Sequence, residues 1–342
     1  MGESVRQAFV PEVGRIEYRE IEVGEAGPGE VLIEPARIGI CGSDVHVFKG
    51  EHPIVQPPLV QGHEVSGRVI QPAPDVRGFE AGDIVTIEPA IGCGRCSRCH
   101  ASLMAQCSNL DFIGGNLDGP AARRYLVPAD QLVRMRPTTS LDDAALAEPL
   151  ATAVHSVRRA GEVYGHDVLV TGGGPIGALI ALVAREAGAR EVVVSDPSPG
   201  RRAILEGLGL ATFDPAAGVA GLPEAMFGGR EVTVAFECSG VAAGLDACIQ
   251  TVGRGCTVVV VAVYAEPPRT DMIAVQDREL NVFGALMYTW ADFREATRLI
   301  DEGALPLGAL VTHHVPFDDF EKGYAIIDDL TAGAMKVLVD VV

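Results

Sequence analysis

Apolar and polar positions change their spacing once along the chain. Residues 16–23 and 30–40 alternate or run apolar on either side of Pro28-Gly29, and residues 65–71 and 83–88 read as two more strands across a turn rich in Pro, Asp and Gly. Such a density of strands and turns predicts a compact, mostly β domain. Near Leu141 the spacing becomes helical. Leu146, Leu150, Val154 and Val157 share one side of a helix predicted over 141–160. A short apolar strand at 167–171 follows, then a helix at 175–187 stopped by Gly188, a strand at 191–196 and a helix at 201–208. Further strands are expected at 232–237, 257–263 and 280–286. Strand alternating with helix means a parallel sheet in a doubly wound α/β domain. A helix at 293–300 and strands at 311–315 and 336–342 complete the pattern, which permits these end pieces to return to the first domain. No internal repeat is visible.

The length of 342 residues fits about two domains. With 48% apolar and 21% charged residues, wholesale disorder is excluded. The net charge of −19 argues against nucleic acid and anionic membrane surfaces as partners. Residues 258–263 form one of the longest apolar runs, far short of the roughly 20 residues a membrane helix needs. Residues 1–6 are polar and no export signal follows, so a cytoplasmic location is expected.

The strand at 167–171 runs into Gly172-Gly173-Gly174-Pro175-Ile176-Gly177, a G-x-G-x-x-G sequence at a strand-to-helix junction. Gly172 allows the tight turn, Gly174 lets a pyrophosphate approach the backbone and Gly177 lets helix and strand pack closely. Pro175 and Ile176 open a helix whose free N–H groups face the phosphates. The next strand ends in Asp196, 19 residues after Gly177. A carboxylate there accepts from ribose hydroxyls and repels a 2′-phosphate, so NAD is favoured over NADP. Arg201 and Arg202 would pair with a 2′-phosphate if they folded back; a solvated helix face is the favoured reading.

Four of the eight cysteines, Cys93, Cys96, Cys99 and Cys107, lie within 15 residues. Four thiolates suit tetrahedral zinc with no open position, hence a structural site. An iron–sulfur cluster also accepts four cysteines, but the lobe is loop-like and no other motif needs an electron carrier. A second constellation is looser. Cys41 follows an apolar strand, His63-Glu64 comes 22 residues later, and Glu148 precedes Pro149 at the head of a helix. One thiolate, one imidazole and one or two carboxylates bind zinc while leaving room for water or substrate.

Taken together, GICGSDVH (39–46), GHEVSGRV (62–69), the cysteine run 93–107, AEPLATAVHSVRRAG (147–161), VLVTGGGPIG (168–177), VVVSDPSPGRR (192–202) and LVTHHVPF (310–317) resemble the zinc-dependent medium-chain alcohol/polyol dehydrogenases, with Glu148-Pro149-Leu150 similar to the sorbitol and threonine branches. The resemblance implies a GroES-like catalytic domain over 1–152, with 290–342 returning to it, and a Rossmann NAD-binding domain over 153–289, with the active site in the cleft. It implies a catalytic zinc on Cys41, His63 and either Glu64 or Glu148. The activity implied is reversible oxidation of a secondary alcohol, with hydride transfer to NAD. Substrates implied are a polyol, a cyclitol or amino-cyclitol, a simpler secondary alcohol or, alternatively, a 2-amino-3-hydroxy acid such as threonine. A non-catalytic nucleotide-binding protein is the reading from another class. Ser43 and His46 match the family's proton relay, and Gly172, Gly174, Pro175, Ile176, Gly177, Asp196 and Arg201 its cofactor contacts. A homodimer or homotetramer is implied, with 280–286 as a candidate edge. Two departures weigh on the substrate. Arg124 stands where an acid is usual, and Met287 precedes Tyr288 where sorbitol dehydrogenases carry arginine. Asn116 and Asp118 are left as candidate polar contacts in the pocket.

Overall fold

A computed structural model describes residues 2–218, 221–329 and 333–342. The chain divides into two units. Unit 1 comprises Met1–Glu148, Thr289–Gly303 and Val311–Val342, and unit 2 comprises Pro149–Tyr288 and Ala304–Leu310.

Unit 1 is built on a mixed seven-stranded sheet. Its order is Val311–Pro316, Lys336–Asp340, Glu30–Gly39, Glu64–Pro72, Ile84–Ile87 and Leu132–Arg134, with Tyr125–Pro128 also paired to Glu30–Gly39. Val311–Pro316 and Lys336–Asp340 run parallel; the other pairs are antiparallel. Alternate positions point inward, so Val31 and Ile33, Val65 and Val69, and Val337 and Val339 meet in one apolar cluster with Phe317, Phe320 and Tyr324. Register places Gly39 opposite Glu64 and Leu338 opposite Gly39. The ends of three strands therefore converge where Cys41 leaves the sheet.

Unit 2 carries a six-stranded parallel sheet in the order Ala211–Phe213, Glu191–Ser195, Asp167–Thr171, Val232–Glu237, Val252–Val260, Asn281–Gly284. The sheet grows outward from Asp167–Thr171 first one way, then the other. That reversal leaves a crevice at the carboxyl ends of Asp167–Thr171 and Val232–Glu237. Every residue of Asp167–Thr171 is buried, as a central parallel strand covered on both faces requires.

The structure departs from the pattern reading in several places, and the first two departures have local causes. The helix expected over 141–160 is two helices, Leu141–Ala145 and Ala147–Ala160. Pro149 has no N–H to donate to the Ala145 carbonyl, so the hydrogen-bond ladder breaks there. The strand expected over 257–263 stops at Val260 because the Val261 and Ala262 N–H groups turn to the Glu237 carbonyl, at 2.9 and 3.1 Å. The strand expected over 280–286 spans only Asn281–Gly284, all four residues exposed. A strand at Glu3–Glu12 and helices at Gly42–Phe48, Ala242–Thr251 and Phe320–Asp328 join the elements read from the pattern. Among the described residues, no helix is long and apolar enough to cross a membrane.

Candidate functional site

The first cluster assembles at the mouth of the unit 1 sheet. Cys41 caps the helix Gly42–Phe48, and its N–H donates to the Asp44 carboxylate at 3.0 Å. That bond fixes the backbone from which the thiol projects. Glu64 opens the neighbouring strand, and a Cβ on Gly39 would lie 2.0 Å from Glu64 Oε2, so only glycine lets the carboxylate pass. One ligand atom each from Cys41, His63 and Glu64 falls within 4.8 Å of the others. This donor set fits zinc, a borderline-soft ion that takes sulfur, nitrogen and oxygen together. Glu148, buried in the first turn of Ala147–Ala160, is near enough for its charge to act on His63, Glu88 and Lys336.

Three buried residues around this cluster escaped the sequence reading. Asp44 Oδ1 lies 3.6 Å from His63 Nδ1, with both side chains buried. A carboxylate there orients a ligating imidazole. Burial pulls the His63 pKa down, but Asp44 and Cys41 outweigh it and hold it well above its usual range. Lys336, from the closing strand, brings Nζ to 2.7 and 2.6 Å of the two Glu64 oxygens and 3.3 Å of the Ile40 carbonyl. Burial lowers its pKa, and the Glu64 carboxylate more than reverses this. Glu88 is fully buried and accepts the Ala90 N–H at 3.1 Å. Burial, with the nearby Glu148 charge, raises its pKa to about 8.

Ser43 and His46 lie three residues apart on Gly42–Phe48, hence on one face. Ser43 is half-buried, whereas His46 is exposed with Nδ1 3.1 Å from Glu51 Oε2. Asn116 and Asp118 are engaged within unit 1. Asn116 bridges Asp111 and the Phe112 N–H, and Asp118 accepts the Val60 N–H. Arg124 is spent on Glu3 and Glu34.

The four-cysteine lobe brings Cys96 and Cys99 sulfurs to 3.5 Å, Cys96 and Cys107 to 3.8 Å, and Cys93 and Cys99 to 4.0 Å. Two Zn–S bonds of about 2.3 Å at the tetrahedral angle put sulfurs about 3.8 Å apart. Disulfides need about 2.05 Å and are excluded. Backbone N–H donors, that of Arg95 foremost, bring the Cys93 thiol down to about 6, while burial pushes the Cys99 thiol up to about 12.

In unit 2 the glycine loop has the shape its sequence requires. Gly172 has φ +91°, and a Cβ on Gly177 would lie 1.9 Å from the Gly172 carbonyl oxygen. Gly174 caps the helix Pro175–Glu186, with Pro175 and Ile176 in its first turn, and a Cβ there would meet only Arg201 Nη1 at 3.9 Å. That space beside a helix N-terminus fits a pyrophosphate. Asp196 is buried, accepting the Gly173 N–H at 2.7 Å and the Ser198 N–H at 2.8 Å. The solvated face expected for Arg201 and Arg202 is corrected. Arg202 donates to the Asp196 carbonyl at 2.6 Å and pairs with Asp214 at 3.0 Å, while Arg201 Nη1 lies 3.9 Å from Asp196 Oδ2. Acidic groups and a free carbonyl at the strand end draw both guanidiniums inward.

Comparison with known proteins agrees with this geometry. Residues 27–137 match the alcohol dehydrogenase GroES-like domain and residues 175–302 the zinc-binding dehydrogenase model. The chain is 35% identical over 332 residues to 2-dehydro-3-deoxy-L-galactonate 5-dehydrogenase of Pseudoalteromonas atlantica, covering 96% of this chain and 97% of that one. It is 32% identical to L-threonine 3-dehydrogenase of Pyrococcus abyssi, covering 91% of each chain. A zinc-binding dehydrogenase from Sinorhizobium meliloti, crystallised with NADP, superposes with a TM-score of 0.92 at 32% identity, over 99% of this chain and 100% of that one. Fold, glycine loop and donor clusters define an oxidoreductase of the alcohol-oxidising class. The chain belongs to the zinc-dependent medium-chain alcohol/polyol dehydrogenase family.

Two outcomes follow from the buried charges, both read by urea denaturation of zinc-stripped protein. Lys336→Met leaves the Glu64 charge uncompensated and should cost about 3–5 kcal/mol, most of it recovered when Glu64→Gln is added. Glu88 has a folded pKa above its unfolded value of about 4.3, so the folded chain binds the extra proton between the two. Its contribution is present below about pH 4 and is lost as pH rises towards about 8. Glu88→Gln should therefore gain on the wild type between pH 5 and 8, by at most about 4 kcal/mol.

Proposed function

We propose that this chain reversibly oxidises a secondary alcohol of a polyhydroxylated compound (a polyol, a cyclitol or a sugar acid) to the ketone, with NAD as hydride acceptor. The observation that carries the reading is the convergence of Cys41, His63 and Glu64, with Glu148 close by, at one buried point of unit 1. Sugar acids are included because a relative 35% identical is named for one.

Cys41 and His63 would hold the catalytic zinc, with Glu64 or Glu148 as the third protein ligand. The contact with Lys336 supports Glu148, since Glu64 already has a counter-charge on both oxygens. When bound, zinc lowers the pKa of the substrate hydroxyl and the nicotinamide takes up the hydride. Asp44 orients His63. Ser43 takes the proton from the substrate hydroxyl, and His46 carries it to solvent at the exposed end of the same helix face. Cys93, Cys96, Cys99 and Cys107 would hold a second, structural zinc. Gly172, Gly174, Pro175, Ile176 and Gly177 would receive the pyrophosphate and Asp196 the adenosine ribose. The free edge of Asn281–Gly284, with exposed Val282, Phe283 and Leu286, suits a second copy of the chain in a homodimer or homotetramer.

The test is NADH absorbance from zinc-loaded protein with NAD and sorbitol, xylitol, 2,3-butanediol, inositols, sugar acids or threonine, run beside Cys41→Ser. Turnover on a polyhydroxylated substrate is expected, lost at least 1,000-fold in the variant. Metal should fall from two zincs per chain to one. Threonine as the sole substrate would select the alternative that the Pyrococcus abyssi relative suggests. NAD binding without turnover on any member would favour the non-catalytic reading.

Arg201 bears on the cofactor. Its approach to Asp196 supports some use of NADP, as does the NADP held by the Sinorhizobium meliloti structure. The wild type is expected to prefer NAD, and Arg201→Ala should raise KM for NADP about tenfold while leaving KM for NAD within twofold. Equal changes for both cofactors would remove Arg201 from cofactor selection.

A further inference from the structure

Glu237 ends the strand Val232–Glu237 at the crevice of the unit 2 sheet, and none of its surface is exposed. Its carboxylate gathers donors from two loops. Oε1 accepts the Ser239 N–H at 2.8 Å, the Gly240 N–H at 3.1 Å and the Ser239 hydroxyl. Oε2 accepts the Tyr264 hydroxyl at 2.6 Å. The Glu237 carbonyl holds the Val261 and Ala262 N–H groups. Glu237 thus ties the loop after its own strand to the loop after Val252–Val260.

A third loop abuts the first. A Cβ on Gly172 would lie 2.7 Å from Ser239 N, and the Cys238 N–H donates to the Thr171 carbonyl at 2.8 Å. The glycine loop therefore rests against the segment Glu237 holds. Asp196 lies at the end of Glu191–Ser195, on the other side of Asp167–Thr171. A dinucleotide lying across the crevice with its adenosine ribose at Asp196 must extend its other half over Val232–Glu237 and Val252–Val260. Those are the strands whose loops Glu237 joins.

We propose that Tyr264 is a positioning residue for the nicotinamide half of the cofactor. Through Glu237 it fixes the two loops beneath that half, leaving the adenosine half to the glycine loop and Asp196. The inference rests on the reading of unit 2 as the nicotinamide dinucleotide domain. Burial and the adjacent carboxylate hold the Tyr264 phenol above its ordinary pKa, so it remains a donor at any physiological pH. A hydrogen bond to a buried carboxylate is strong enough, if expressed in binding, to change affinity tenfold or more.

The experiment compares wild type with Tyr264→Phe, measuring NADH binding by fluorescence and ADP binding by calorimetry. The phenylalanine keeps the ring where it packs on the unit 2 core and removes only the hydroxyl. NADH affinity is expected to fall about tenfold, with ADP affinity within twofold of wild type. A general loosening of unit 2 would weaken both ligands alike and would overturn the proposal. So would an NADH affinity within twofold of wild type. A wild type that binds neither ligand would remove the underlying reading of unit 2 along with it.

Discussion

In unit 1 a buried carboxylate is met by a buried ammonium, and that pairing reaches across most of the chain. Glu64 and Lys336 are 272 residues apart in sequence and 2.6 Å apart in space. Neither charge tolerates an apolar interior alone. The closing strand must therefore lie beside Glu30–Gly39, where Lys336 reaches Glu64 and the Ile40 carbonyl together. That placement brings Val337 and Val339 into the core, where the Val337 carbonyl accepts the Ile40 N–H at 3.0 Å.

Much of the fold was legible because it follows local rules. Asp167–Thr171 is a short apolar run bounded by a glycine turn, and it stands in the structure with the limits the pattern gives. The glycine loop needs only its own sequence and the strand before it. Cys93, Cys96, Cys99 and Cys107 are close in sequence and meet in space for that reason. Cys41 and His63-Glu64 were legible through their surrounding motifs, and the sheet brings them together by antiparallel register.

What was not legible depends on partners remote in sequence. A lone lysine at the start of an apolar strand gives no sign that it will be buried, and nothing near residue 336 names Glu64 as its partner. Glu88 looks like an ordinary strand-end carboxylate until the fold encloses it beside Glu148. Asp44 carried a local signal, an acid three residues after Cys41, which reads as a helix-capping pair. Arg201 and Arg202 look like a solvated face because their acceptors, Asp196 and Asp214, meet only when strand and loop are in place. The break at Leu146 was readable from Pro149, but the apolar spacing on either side concealed it.

The two donor clusters also differ in when they become possible. All four thiols of the cysteine lobe have been made once Cys107 is added, and the lobe closes through short turns of its own. Cys41, His63 and Glu64 are all made by residue 64, yet Glu148 follows 84 residues later and the ammonium that balances Glu64 arrives only with residue 336. In order of synthesis, then, the ligands of the cysteine lobe are complete well before the charge balance of the other centre is.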